Sequence, residues 1–200
     1  MFEKLLEIIR SDEFRVQLAE LNDNFFNLKQ ELHIRDLLVK FFNQKCKAEE
    51  RAIAEYRVPN KKAPNKNIRI DLALVNKSSK EEILIEFKYH FPEDPQIEKK
   101  QSLKRYFEER EECHYLISIV CNGNKEKREQ FEKEWLDKKT DFAGRYSEST
   151  QWKDKLEGEL KPLGCSFESI EIEVDKPFET TYHFFILERK KEEKVIFPLL

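Results

Sequence analysis

The chain has 200 residues, 39% hydrophobic and 38% charged, and its 37 Lys and Arg against 40 Asp and Glu leave a net charge of −3. That size and apolar content suit one globular domain, or one with an appended subdomain. The charge balance excludes a polybasic nucleic-acid binder, so an anion site must be a local patch. Its four glycines form neither GxGxxG nor GxxxxGK[ST], which excludes the Gly-rich phosphate loops.

Cys46, Cys113, Cys121 and Cys165 form no CxxC pair, and no Cys/His grouping has zinc-ligand spacing. Scattered thiols fit a reducing compartment. The first residues are interrupted by charges, and no run approaches the ~18 apolar residues of a membrane span. The expectation is a cytoplasmic protein that makes no membrane contact.

Phe2, Leu5, Leu6 and Ile9 predict a short amphipathic helix over 2–10. A second helix is expected over 28–46, where Leu28, Ile34, Leu37, Leu38, Phe41 and Phe42 form a broad apolar face. Residues 52–58 read as a strand. "PNKKAPNKN", 59–67, has two prolines and no large apolar residue and reads as a loop. "IRIDLALV", 68–75, and "ILIEFKY", 83–89, are strands joined by a polar turn. A helix is expected over 96–112, with Ile97, Leu103, Tyr106 and Phe107 on its apolar side. "YLISIVC", 115–121, reads as a buried strand. A charged helix follows over 125–138, then a helix near 149–161 and strands at 169–174 and 182–189. Three strands without intervening helices predict an antiparallel start. The helix before 115–121 predicts a crossover to a parallel neighbour. The fold class is therefore α/β: a mixed central β-sheet flanked by helices, with a core of about 28–121 and a mixed α/β C-terminal extension, 122–200, that completes the sheet.

Three ionisable residues interrupt the best core strands. Side chains alternate along a strand, so Asp71 shares a face with Arg69 and Ala73, and Glu86 and Lys88 share one with Leu84. If the two strands pair, Asp71, Glu86 and Lys88 converge. Two carboxylates held together repel, and a divalent cation compensates. Mg²⁺ favours one or two carboxylates with water and a substrate phosphate, and Lys88 suits the orientation of a water or the stabilisation of phosphate charge. Five other acid–x–Lys triplets occur in the chain. Only "EFK", 86–88, lies inside an apolar strand that follows another strand with its own embedded Asp.

This arrangement resembles the PD-(D/E)xK nuclease superfamily, which includes restriction endonucleases and Holliday-junction resolvases. Asp71 matches the first acid, and Glu86 and Lys88 match the (D/E)xK pair. Ile70 stands where the family's name has a proline. Glu31, in "QELHIRDLL", matches by order and helical setting the glutamate that many members carry on the first core helix. The resemblance implies a restriction-endonuclease-like core and Mg²⁺-dependent hydrolysis of phosphodiester bonds, with Mn²⁺ able to substitute. It implies that Asp71, Glu86 and the backbone carbonyl of Phe87 hold the metal. Lys88 positions or helps deprotonate water, and Glu31 binds a second metal or a metal-bound water. Arg35, one turn after Glu31, is placed to touch the scissile phosphate or to pair with Glu31. Lys61, Lys62 and Lys66 in the 59–67 segment, and Gln101, Lys104 and Arg105 on the following helix, are candidates for backbone phosphate contacts. DNA is the expected substrate, with RNA left open, and a homodimer or a protein partner is compatible with cutting a duplex. The competing reading is a catalytically weak nuclease-fold module that binds nucleic acid or protein within a larger complex. Trp135, Phe142, Tyr146 and Trp152 are read as core packing of the C-terminal extension rather than as base-stacking groups.

Overall fold

The computed structural model describes residues 1–94, 102–136 and 143–190. Three helices come first: α1 (Phe2–Ile9), α2 (Asp12–Phe25) and α3 (Glu31–Lys45). Strands β1 (Glu50–Asn60), β2 (Ala63–Asn76) and β3 (Glu82–His90) follow. Then come α4 (Ser102–Glu109), β4 (Tyr115–Gly123), α5 (Lys125–Trp135), α6 (Gln151–Leu160), β5 (Gly164–Val174) and β6 (Thr180–Arg189). No helix among the described residues is long and apolar enough to cross a membrane.

The six strands form one sheet in the order β1-β2-β3-β4-β6-β5. β2 runs antiparallel to both β1 and β3, β3 and β4 are parallel, and β6 runs antiparallel to both β4 and β5. The mixed α/β sheet thus has the antiparallel start and the parallel crossover that the pattern predicts. The C-terminal strands extend that same sheet.

Both faces are covered. On one, Ile85, Phe87, Ile117, Ile119, Phe184 and Ile186 pack against Leu5, Phe14, Leu18, Ile34, Leu38 and Phe42 of α1–α3. On the other, Leu116, Val120, Phe185 and Leu187 pack against Leu103 and Phe107 of α4 and Trp152, Leu156 and Leu160 of α6. β4 is apolar from Tyr115 to Cys121 apart from the buried Ser118, because it is buried on both sides. Each of its fully buried large side chains contributes about 1.5–3 kcal/mol of transfer free energy. Tyr146 and Trp152 belong to these cores, whereas Trp135 is 72% exposed and Phe142 lies outside the described residues.

Two elements depart from expectation. α2 is a full helix that the apolar pattern does not announce, because its buried residues are only Phe14, Leu18 and the polar Asn22. Ser11 caps it by accepting from the Phe14 N–H at 3.2 Å. The 59–67 segment is not a loop: it forms the distal end of a long β1–β2 hairpin, paired through Pro59↔Asn67 and, after a shift of register, Asn60↔Ala63. Asn60 makes its turn, with Oδ1 accepting from the N–H groups of Lys62 and Ala63. Pro59 is tolerated because β1 is an edge strand.

That hairpin folds back over the sheet. Tyr56 faces Ile70, five residues or about 17 Å along β2 from Val75, and Val75 faces Glu82. Yet the Tyr56 hydroxyl donates to Glu82 at 2.5 Å, and Val58 and Ile70 pack with Ala73 and Leu84. The tip docks further on, where the Lys61 N–H donates to Glu112 at 2.7 Å. The bend coincides with Glu55, whose φ of 53° is a left-handed conformation rare for a non-glycine residue. Glu55 lies between the register pairs Ala54↔Leu72 and Tyr56↔Ile70, level with Asp71 along the ladder.

Candidate active site

The β2–β3 ladder runs from Val75↔Glu82 to Leu72↔Ile85 and stops. The next position sets Asp71 opposite Glu86. From there β2 diverges, while β3 keeps its pairing with β4 through His90↔Val120. The divergence strips β3 of backbone partners on one edge, and buried N–H groups must find acceptors. Two carboxylates supply them. Asp71 Oδ2 accepts from the Phe87 N–H at 2.8 Å, and Glu31 Oε2 accepts from the Tyr89 N–H at 2.8 Å. A strand residue turns its N–H and C=O to the same edge, so the Phe87 carbonyl faces this opening too. Glu31 enters it from the N-terminus of α3, in the helix layer on the opposite face from Lys88.

Glu86 is 1% exposed. Its Oε2 accepts from the Tyr106 hydroxyl at 2.5 Å. Its Oε1 has no hydrogen-bond partner and stands 3.7 Å from Arg110 Nε. Burial, then the charge of the nearby Asp71, push the Glu86 carboxyl up to about 8 against the counteracting Tyr106 and Arg110. Burial likewise raises Glu31, with Asp71 adding to the rise and Lys88 opposing it. Lys88 Nζ lies 3.7 Å from Glu31 Oε1 and 4.3 Å from the centre of the Tyr106 ring. It is thus held between a carboxylate and a π face. His90, two residues beyond Lys88 on the same face, is buried with neither ring nitrogen hydrogen-bonded. Burial, its largest influence, lowers it to about 4 and keeps it neutral.

Asp71, Glu86, Lys88, Glu31 and the Phe87 backbone therefore converge at one opening. The other candidates do not all join them. Arg35 does not pair with Glu31: its guanidinium is taken by Asp36 and Glu55, because the hairpin bend brings Glu55 to it. Lys62 pairs with Glu111 at 2.9 Å, and Lys61 Nζ donates to the Glu111 carbonyl, so both hold the hairpin tip down. Lys66 is exposed. Lys104 and Arg105 pair along α4 with Glu108 and Glu109. Gln101 lies outside the described residues.

Sequence reasoning missed Tyr106 of α4 and Arg110, just past its end, which both reach Glu86. The available signal was their i, i+4 spacing on the helix that follows the motif. Tyr106 reads as one more apolar residue beside Leu103 and Phe107, and its hydroxyl carries the contact.

No group of three or more His, Cys, Asp or Glu that could hold a metal ion occurs among the described residues. Mg²⁺ needs fewer, since one or two carboxylates with carbonyl and water oxygens suffice. The residues fit such an ion on one observation: a buried carboxylate oxygen, Glu86 Oε1, lacks a hydrogen bond beside a second carboxylate. Comparison of the chain with family models, curated proteins and solved structures finds no match.

Proposed function

We propose that the chain is a metal-dependent endonuclease that hydrolyses phosphodiester bonds of DNA, on a core of the restriction-endonuclease type. The observation that carries this is the Asp71–Glu86 pair where the β2–β3 ladder opens. Two carboxylates are gathered, one of them buried with an oxygen left without a hydrogen bond, an arrangement that costs free energy unless a cation offsets it.

Asp71, Glu86 and the Phe87 carbonyl are the groups that would hold Mg²⁺ or Mn²⁺. Bound there, the ion supplies Lewis-acid polarisation of the phosphate and a lower pKa for water. The remaining work belongs to the chain. Lys88 is a donor with a fixed direction, held by Glu31 and Tyr106, and serves to orient the attacking water and to stabilise charge on the phosphate. Glu31 keeps that ammonium in place and offers a further carboxylate to a second metal or a metal-bound water. Tyr106 and Arg110 fix the Glu86 carboxyl.

The test is nicking of supercoiled plasmid DNA. The purified protein cleaves with Mg²⁺ or Mn²⁺, and Asp71→Ala and Lys88→Ala each abolish cleavage; undiminished cleavage by both variants overturns the assignment. A calorimetric Mn²⁺ titration separates the enzyme from a nuclease-fold binding module. Heat lost in Glu86→Ala supports the enzyme, and no binding by the wild type supports the module.

A further inference from the structure

The β1–β2 hairpin carries a like-charge pair that folding alone does not explain. Arg57 and Arg69 face each other directly across the antiparallel ladder. Such partners have Cβ atoms about 4.5–5.5 Å apart, and like charges there are destabilising. Both are exposed. One carboxylate answers them: Glu55, 3.5 Å from Arg69, which also serves the buried Arg35. Arg57 makes no ion pair among the described residues.

The position of the pair gives it a use. Lys61, Lys62, Lys104 and Arg105 are committed to acidic or carbonyl partners. On the hairpin that bears Asp71, Arg51, Arg57 and Lys66 are exposed and make no ion pair among the described residues, and Arg69 shares its one carboxylate, Glu55, with Arg35. Arg69 precedes Asp71 by two residues, about 6.8 Å of strand. One strand of a duplex carries a charge every ~3.4 Å of its axis. A DNA strand lying along β2 with its scissile phosphate at Asp71 and Glu86 would bring neighbouring phosphates past Arg69 and Arg57.

We infer that Arg57 and Arg69 form a clamp for the DNA phosphate backbone, seating the substrate strand on the hairpin beside the cleavage site. The inference rests on the nuclease reading for the identity of its anion. A phosphate between two guanidiniums turns their repulsion into two charge-assisted contacts. The contact is to the backbone, so the clamp positions DNA without reading its sequence.

The experiment measures binding of a short fluorescein-labelled DNA duplex by anisotropy in chelator, where no cleavage occurs, over a range of salt concentrations. Loss of two phosphate contacts lowers the slope of log K against log salt by about 1.8. The expected result is that drop in Arg57→Gln/Arg69→Gln, with at least a tenfold rise in Kd and an undiminished melting temperature, since repulsion has been removed. The control Arg10→Gln/Lys153→Gln makes the same change of net charge near the β5 edge, far from the hairpin, and keeps the wild-type slope. Three results overturn the clamp: a wild-type slope in the folded double variant, an equal drop in the control, or no duplex binding by the wild type. Plasmid nicking by the wild type keeps the two claims apart. Arginine-dependent binding without cleavage leaves the clamp and removes the nuclease; cleavage with binding indifferent to Arg57 and Arg69 does the reverse.

Discussion

Glu86 is the residue on which the chemistry and the stability of the molecule meet. Burial and the adjacent Asp71 lift its carboxyl from the ordinary 4.5 to about 8. Because the folded state holds this proton more tightly than the unfolded chain, the associated stability is fully present below about pH 4.5 and is lost as pH rises through about 8. In chelator, urea unfolding of the wild type should therefore show a stability that falls between pH 6 and pH 9 by on the order of 1–3 kcal/mol from this group. Glu86→Gln keeps an acceptor for Tyr106 and carries no charge, so it should flatten that fall and be the more stable protein at pH 9. A variant less stable than the wild type at pH 9 would show that the carboxylate is not under strain. On the metal-dependent reading proposed above, the same proton must leave when a cation binds. Mn²⁺ affinity should rise about tenfold per pH unit below pH 8, with close to one proton released, as read by calorimetry in buffers of different ionisation enthalpy.

Among the elements, the β1–β2 hairpin decides the shape of the site, and its fold-back hangs on few contacts. Its tip is held by Glu112, which is 8% exposed and accepts the Lys61 N–H at 2.7 Å, and by the Lys62–Glu111 pair. Glu112→Ala leaves a backbone donor without its partner and should cost about 1–2 kcal/mol. Hydrogen exchange should quicken at amides of residues 56–70 and stay unchanged in β4 and β6; uniform acceleration would show that the tip contact supports the whole sheet instead. The hairpin also marks the limit of what the residues announce. β2, β3 and β4 are legible because their apolar runs are dense, and period-two alternation puts Asp71, Glu86 and Lys88 on one face once the strands pair. Glu31 is legible as an acid at the head of a helix with a clear apolar stripe. The fold-back is not legible. It depends on a left-handed φ at Glu55, a residue type that gives no such signal, and on a contact between Lys61 and Glu112 that local pattern does not encode. Arg35 follows from that bend: helical spacing points it at Glu31, and the hairpin delivers Glu55 to it. α2 escapes notice because its buried stripe is two apolar residues and an asparagine.

At the scale of the whole molecule, the sheet joins two apolar layers that share no side chain. Ile117 and Ile119 of β4 point into the layer beneath α1–α3, and Leu116 and Val120 point into the layer beneath α4 and α6. All four are fully buried. One strand therefore anchors both layers, and loss of either removes the template on which the other packs. Trp152 reports on this directly. It lies in the α4–α6 layer at 8% exposure, whereas Trp135 is 72% exposed, so Trp135→Phe isolates the Trp152 fluorescence at little cost to stability. In that background Ile119→Ala opens a cavity on the α1–α3 side and should cost about 2–5 kcal/mol. If β4 makes the two layers one cooperative unit, the Trp152 transition shifts to lower urea by as much as the far-ultraviolet circular dichroism transition, and the two curves remain superimposable. A Trp152 curve that stays at its original midpoint while the dichroism curve moves would mean that the layers unfold separately. The site then could not depend on both, although Glu31 comes from one layer and Tyr106 from the other.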